Sequence, residues 1–173
     1  MDSRGITIRA GTKADAEQIA DIHVRAWRWA YRGHVPDALL DSLSVSDRVE
    51  AWRSSLQQSD RSRVWVAQAE GRLLGFVSAG ACRDEDAQPG TGELYAIYVE
   101  PSRVHTGLGR RLFETATDWL ESEGFRAATL WVLDSNTRAR GFYEAAQWML
   151  DGSTKIDTWG GFSLHEVRYR IVF

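Results

Sequence analysis

Hydrophobic residues in the first third of the chain recur at the spacing of helices. An apolar stripe over residues 16–30 predicts a helix that begins near Asp15. After a turn, leucines at residues 39–43 predict a short helix. A longer helix is indicated up to Leu56, with Ser46 as its predicted N-cap, because a serine side chain can accept a hydrogen bond from the first turn.

The rest of the chain alternates between strand and helix patterns. The predicted strands cover residues 6–9, 63–69, 73–81, 94–99, 127–133, 148–156 and 166–172. Glu70-Gly71 and Gly160-Gly161 are typical of turns between paired strands, and a polar loop is predicted at residues 82–90. Because neighbouring strands follow one another through short turns, the layout predicts one α+β sandwich around a mixed, mainly antiparallel sheet.

Composition narrows the class of protein. The chain has 173 residues, of which 43% are apolar, so it can bury a sizeable core as one domain over residues 1–173. The net charge of -3 argues against a nucleic-acid-binding surface. We find no apolar stretch long enough to span a membrane and no leader pattern, so we expect a cytoplasmic protein. One cysteine excludes an internal disulfide, and four dispersed histidines give no metal-ligand spacing.

The candidate chemistry begins where the strand at residues 94–99 meets Pro101. Gly107 and Gly109 then open directly into an amphipathic helix. Glycines at a helix start let a ligand approach the free N–H groups at the positive end of the dipole, which predicts a phosphate-binding site. A nucleotide-hydrolase P-loop would need Lys-Ser or Lys-Thr where Arg110-Arg111 stands, and a dinucleotide-binding turn would need a third glycine.

A second motif follows the strand at residues 127–133. Five residues of it, within one predicted helix, are Asn136, Ala139, Phe142, Tyr143 and Glu144. Together with Pro101, Gly107 and Gly109 at their spacing, they resemble the signatures of the GNAT superfamily of N-acetyltransferases.

The chain departs from the GNAT pattern at three places. Val104 stands where the family usually has Gln or Arg, and His105 stands where a glycine is frequent. At the end of the second motif, Gln147-Trp148 replaces the usual Gly-Phe, so the helix lacks the glycine that commonly ends it.

The resemblance implies a GNAT-like three-layer sandwich with six or seven strands and about four flanking helices. It also implies direct transfer of acetyl from acetyl-CoA to a primary amine in a ternary complex, without a metal. The acceptor stays open between a small-molecule amine and a peptide or protein amine, with no nucleic acid or membrane as partner. Because family members often dimerise, a homodimer is one expected assembly.

The resemblance also assigns roles to residues. Tyr143 is expected to protonate the leaving thiolate, and Glu93 to act as the base, directly or through water. Trp27, Tyr31 and Tyr95 are expected to wall the acceptor pocket. The expected coenzyme A contacts are Ile97, Tyr98, Val99, Val104, His105, Thr106, Gly107, Leu108, Gly109, Arg110 and Asn136.

Other interpretations stay open at this stage. The protein could be a non-catalytic acyl-CoA sensor of the same fold, or a partner-binding module without coenzyme A. Glu93 could be a solvent-facing strand residue, and Trp27 could belong to the core. Cys82 could carry an acyl group, although no His and acid pair is recognisable beside it. The acidic loop at residues 84–86 gives slight support to a cationic acceptor, but a loop of this composition is more often simply solvated.

Overall fold

The computed structural model of the protein describes residues 5–57 and 62–173. Within these ranges the chain forms five α-helices, seven β-strands and two short 3-10 turns. The helices are α1 (Ala16–Ala30), α2 (Asp37–Asp41), α3 (Val45–Ser55), α4 (Leu108–Ser122) and α5 (Thr137–Ala145). The strands are β1 (Thr7–Ala10), β2 (Ser62–Ala69), β3 (Arg72–Ala81), β4 (Thr91–Val99), β5 (Ala127–Leu133), β6 (Met149–Trp159) and β7 (Phe162–Val172).

All seven strands belong to one sheet, in the order β1-β2-β3-β4-β5-β7-β6. Neighbouring strands run antiparallel, except that β4 and β5 run parallel. The predicted α+β fold with a mixed, mainly antiparallel sheet is therefore confirmed. The 15-residue helix α4 supplies the connection that a parallel β4–β5 pair requires.

Helices cover both faces of the sheet because each buries an apolar stripe. On one face, α1 and α3 pack on β2 and β3 through residues such as Ile19, Trp52 and Phe76. On the other face, Leu112, Ala116 and other apolar residues of α4 pack on β2 to β5, together with residues of α5. Burying these side chains stabilises the fold by about 25 cal/mol per Å² of apolar surface removed from water. The sheet therefore lies between two apolar layers that stabilise it.

Several boundaries differ from the sequence prediction. The N-cap of α3 is Ser44, whose hydroxyl accepts a hydrogen bond from the Asp47 N–H at 3.4 Å, and Ser46 lies inside the first turn. Ser44 has the extended backbone that an N-cap needs, so the prediction of Ser46 was wrong by two residues. Strand β4 begins three residues earlier than predicted, and the β6–β7 hairpin continues to Gly160-Gly161.

The end of α5 shows how the chain replaces the missing glycine. Gln147 adopts a left-handed backbone with φ of 66°. Its N–H donates to the Glu144 carbonyl at 2.9 Å, and the Trp148 N–H donates to the Tyr143 carbonyl at 3.1 Å. This is the pair of hydrogen bonds of a Schellman cap. A non-glycine residue therefore ends the helix, and the buried Trp148 side chain anchors it in the core.

Candidate active site

The site begins where the two parallel strands separate. Strands β4 and β5 pair at three positions, the last of which joins Glu93 to Thr129. Next to this point the β3–β4 register shifts between Ser78 and Ala79, which makes Tyr95 the extra residue of a bulge. Beyond the bulge β4 stays paired with β3 and β5 stays paired with β7, so the facing edges of β4 and β5 are left open to a ligand.

A cavity of about 810 Å³ occupies the gap between the separated strands. Its walls are residues 94–99 of β4, residues 130–132 of β5, the last turn of α1, one side of α4 along its length and much of α5. The predicted site residues that line it are Tyr31, Tyr95, Ile97, Tyr98, Val99, Val104, His105, Gly107, Gly109, Arg110, Asn136 and Tyr143. The structure thus brings the two sequence motifs to one cavity.

The start of α4 presents backbone donors to this cavity. The first hydrogen bond of the helix runs from the Arg111 N–H to the Gly107 carbonyl at 3.1 Å, so the N–H groups of Leu108, Gly109 and Arg110 point out of the helix end. Gly107 has a φ of 83°, which favours glycine. A β-carbon placed on Gly109 would meet no neighbouring atom of the described chain within 4 Å. This open space fits a diphosphate.

The turn before α4 is closed by its own hydrogen bonds. The Thr106 hydroxyl donates to the Arg103 carbonyl at 2.7 Å, and His105 adopts a left-handed backbone with φ of 63° where the family pattern often has glycine. Leu108 turns its side chain into the core and is 2% exposed. Arg110 pairs with Glu114 at 2.7 Å on the helix surface. Of these residues, Thr106 and Leu108 can therefore contribute through their backbone.

Helix α5 places Asn136 and Tyr143 on the opposite wall. The Asn136 side chain caps the helix by accepting from the Ala139 N–H at 3.2 Å. Tyr143 packs against Phe113 and Tyr169 and is 8% exposed. Its hydroxyl has no hydrogen-bond partner among the described residues. Burial raises the pKa of the phenol, with a smaller contribution from the nearby Tyr31, so the hydroxyl keeps its proton at neutral pH.

Two further hydroxyl groups lie on the α1 side of the cavity. The Tyr31 and Tyr98 oxygens are 3.1 Å apart, and burial raises the pKa of both phenols. The Tyr98 ring stacks on His23 with centroids 5.2 Å apart. His23 accepts a hydrogen bond from the Trp52 indole at 3.1 Å, and burial lowers the pKa of His23 to about 3. His23 is therefore a neutral packing residue behind Tyr98.

Of the predicted acceptor-wall residues Trp27 and Tyr95, only Tyr95 lines the cavity in the described part of the chain. The Trp27 ring contacts those of Tyr31 and Trp159 at 4.9 and 5.5 Å, but Trp27 is not among the described residues that line the cavity. Its indole N–H is buried without a hydrogen-bond partner in the described part of the chain. Tyr95 lines the cavity, donates to the Ala81 carbonyl at 2.6 Å and carries the Arg83 guanidinium 4.0 Å above its ring.

Glu93 is buried beside the bulge. Its carboxylate accepts hydrogen bonds from the Arg83 N–H at 2.9 Å, from Nε at 3.1 Å and from Nη2 at 2.6 Å. Among the residues that the structure describes, those that line the cavity do not include Glu93. Sequence reasoning placed Glu93 near the site but did not find Arg83, which holds the carboxylate and covers Tyr95.

The acidic loop and the cysteine have structural partners. Arg168 pairs with Asp84 at 2.9 Å, with Asp86 at 2.8 Å and with Asp151 at 2.7 Å. Asp84 and Asp86 therefore hold the β3–β4 loop to β7 through Arg168, and Asp151 joins the same cluster from β6. The Cys82 sulfur lies 3.4 Å from the Thr129 hydroxyl, and burial raises the pKa of the thiol. A raised pKa favours the protonated thiol, which is a poor nucleophile.

Sequence reasoning missed Trp29 and Arg138, which line the cavity at its α1–α5 edge. Arg138 lies with its guanidinium carbon 4.0 Å above the Trp29 ring. Two signals were present in the sequence. Trp29 falls outside the apolar stripe of α1 and is 41% exposed, and Arg138 lies inside the second motif, two residues after Asn136.

The described residues contain neither a candidate metal cluster nor a helix that could span a membrane. Over residues 5–57 and 62–173, no group of three His, Cys, Asp or Glu side chains is placed to hold a metal ion. None of the helices in these ranges is long and apolar enough to cross a membrane.

Comparison with known proteins identifies the family. The model of the acetyltransferase (GNAT) family matches residues 17–147. The chain belongs to the acetyltransferase (GNAT) family. It is 36% identical over 133 residues to an uncharacterised N-acetyltransferase, YuaI, of Bacillus subtilis, a match that covers 76% of this chain and 73% of that one. The GNAT resemblance and the expected acetyltransferase class are therefore confirmed.

The chain is also similar to a curated acetyltransferase and to a solved acetyltransferase structure. A mycothiol acetyltransferase of Acidimicrobium ferrooxidans is 32% identical over 135 residues, but the match spans 77% of this chain and 39% of that protein. The solved structure of PaiA N-acetyltransferase from Thermoplasma acidophilum, in complex with coenzyme A, superposes with a TM-score of 0.79 over 98% of this chain and 99% of that one. At 20% identity, this likeness shows the GNAT fold.

Proposed function

We propose that the protein transfers an acetyl group from acetyl-CoA to a primary amine by direct attack in a ternary complex. The observation that carries this proposal is the separation of β4 from β5 after Glu93, in the same cavity as the open start of α4. The separation leaves strand edges that can bind an extended pantetheine arm as if it were another strand. The helix start lies at one end of the same cavity and can hold the diphosphate.

The residues of the cavity fit acetyl-CoA from end to end. The backbone of residues 104–110 would bind the diphosphate, with Gly107 and Gly109 allowing the close approach. The ends of β4 at Ile97, Tyr98 and Val99 would bind the pantetheine arm, and Asn136 would support it from α5. This arrangement would deliver the thioester to the part of the cavity that Tyr143 and Tyr98 line.

Acetyl-CoA supplies a thioester carbonyl that a neutral amine can attack. A backbone N–H at the end of β4 would polarise the carbonyl oxygen, which lowers the barrier because the donor is already in place. Tyr143 would donate its proton to the departing sulfur. The absence of a hydrogen-bond partner for its hydroxyl among the described residues, and the raised pKa that keeps it protonated, support this role.

The amine must lose a proton before its nitrogen can attack, because a lysine-type amine has a pKa near 10.4. Glu93 stays the predicted base. Because the Arg83 donors surround its carboxylate, a relay through water suits the geometry better than direct contact. The competing interpretation is that Glu93 serves to hold Arg83 over Tyr95.

Tyr31 and Tyr95 would form the acceptor walls, with Trp27 supporting Tyr31 from behind. A small-molecule amine and a peptide or protein amine both fit an opening of this kind. We further propose that residues 1–173 act as one N-acetyltransferase domain in the cytoplasm, without nucleic acid or membrane as partner. A homodimer stays a prediction that sedimentation would check.

Calorimetric titration with acetyl-CoA, followed by a thiol-release assay over a panel of amines, tests the function. We expect saturable binding and release of thiol only when an amine is present. Binding without thiol release for any amine would favour the acyl-CoA sensor. Failure to bind would favour a partner-binding module.

A further inference from the structure

The charge at the acceptor end of the cavity is positive. Trp29 at the end of α1, Tyr31 just after it, Tyr98 of β4 and Arg138 of α5 lie near one another at this end. Among the described lining residues of these elements, Arg138 is the charged one. The acidic lining residues, which are Glu114, Asp118 and Glu121, all belong to α4. An acceptor that enters between α1 and α5 therefore meets a guanidinium.

Arg138 has no ion-pair partner among the described residues, and of the other cavity-lining arginines only Arg103, in the turn before α4, shares this property. Arg110 pairs with Glu114, Arg83 pairs with Glu93, and Arg168 binds three aspartates. Arg138 instead stacks on Trp29, which leaves the edge of its planar fork available. A guanidinium fork of this kind matches a carboxylate through two parallel hydrogen bonds.

The pKa of Tyr31 also indicates that Arg138 lies near the acceptor end of the cavity. Arg138 acts to lower the pKa of Tyr31, although burial raises that pKa overall. The guanidinium therefore lies close enough to influence the hydroxyl pair of Tyr31 and Tyr98. Glu166 acts on Tyr31 in the opposite direction, but Glu166 is paired with Lys155 at 3.2 Å.

The carboxylates of Asp84 and Asp86 in the acidic loop and of Glu93 are already bound by arginines. The loop acids Asp84 and Asp86 pair with Arg168, and Glu93 pairs with Arg83. The acidic loop therefore gives no support to a purely cationic acceptor. A positive side chain without a partner at the cavity edge favours an acceptor with its own negative group.

Building on the proposed amine transfer, we propose that the acceptor is an amine that also carries a carboxylate, and that Arg138 binds this carboxylate from its platform on Trp29. The chemical class is that of α-amino acids and related zwitterions. The amine end would reach the thioester near Tyr98 while the carboxylate stays at the α1–α5 edge. Arg138 is then a specificity-determining residue.

The test compares amino acids with their amides, which keep the amine but lack the carboxylate. The quantity measured is the ratio of kcat/KM for each acid over that for its amide, in the wild type and in Arg138→Gln. Dividing the two ratios cancels the difference in amine pKa within each pair. We expect the wild type to prefer the acids and Arg138→Gln to lower the ratio at least tenfold, with Arg138→Lys in between.

Arg110→Gln is the matched control, since Arg110 also lines the cavity but belongs to the diphosphate end. We expect it to weaken acetyl-CoA binding and to leave the acid-to-amide ratio unchanged. A ratio that Arg138→Gln does not alter, or acetylation of the amides alone, would overturn the carboxylate proposal while the amine transfer stands. If none of the amines tested caused thiol release, the proposed function would fail as well.

An effect on the cofactor is separated by calorimetry. If Arg138 served the phosphates of coenzyme A, then Arg138→Gln would weaken acetyl-CoA binding and slow acids and amides alike. That outcome would also overturn the proposal.

Discussion

Replacing Tyr143 with phenylalanine removes the one group to which we assign protonation of the leaving thiolate. The hydroxyl has no hydrogen-bond partner among the described residues, so Tyr143→Phe breaks no such bond within that part of the protein. The ring keeps its contacts with Phe113 and Tyr169, whose centroids lie 5.9 and 6.1 Å away. We therefore expect the melting temperature to stay within a few degrees of the wild type.

The expected loss falls on turnover. General acid catalysis contributes about 10²–10⁴ to the rate, which corresponds to about 3–5 kcal/mol of barrier. The raised pKa keeps the wild-type phenol protonated across neutral pH, so the loss should not depend on pH there. Acetyl-CoA affinity should stay within a few-fold, because the substitution leaves the cavity wall apolar and of the same shape.

Steady-state thiol release and calorimetry on the same preparations measure the two quantities. Tyr169→Phe is a matched control, because the Tyr169 hydroxyl donates to Glu144 at 2.5 Å and accepts from Arg140 at 3.1 Å. Its loss should lower the melting temperature and spare turnover. Wild-type turnover by Tyr143→Phe would refute the assignment, and a parallel loss of acetyl-CoA binding would make Tyr143 a binding residue.

Three other predictions follow from the site. Gly109→Val should weaken coenzyme A binding well over tenfold in calorimetry without unfolding the protein, whereas Gly141→Val, also in open space but off the cavity, should not. Glu93→Gln should flatten the acidic limb of the pH–rate profile if Glu93 is the base; a lower melting temperature with an unaltered limb would mean that it only holds Arg83. Burial lowers the pKa of His23 from 6.5 to about 3. Below pH 6.5 this imidazole therefore becomes protonated in the unfolded chain but stays neutral in the native protein. The free energy of unfolding should therefore fall by about 2 kcal/mol between pH 6.5 and 5, and a denaturant series in which His23→Gln shows the same fall would contradict this.

Local features of the site could be predicted from the sequence. Asn136 and Tyr143 lie within one helical segment, and Gly107 and Gly109 mark a turn next to a helix start. Within each motif, the spacing along the chain is enough to place the residues near one another. Strand 127–133 was predicted with its observed bounds because β-rich residues fill it and polar residues end it.

Long-range pairings could not be predicted in this way. The Arg83 side chain reaches Glu93 because the β3–β4 loop folds back near a bulge in β4. No local sequence pattern marks the position of that bulge. Arg168 and Asp84 are 84 residues apart, and the stacking of Arg138 on Trp29 joins α5 to α1. Each contact depends on how the strands are ordered in the sheet. Ser44 lies just before α3 and Ser46 lies in its first turn, and a sequence pattern does not show which of the two has the extended backbone of an N-cap.

The initial velocity of thiol release, with acetyl-CoA and an accepted amine varied together, tests direct transfer most simply. A ternary complex predicts double-reciprocal lines that intersect and no thiol release without the amine. Parallel lines, the pattern of an acetylated enzyme intermediate, would contradict the account.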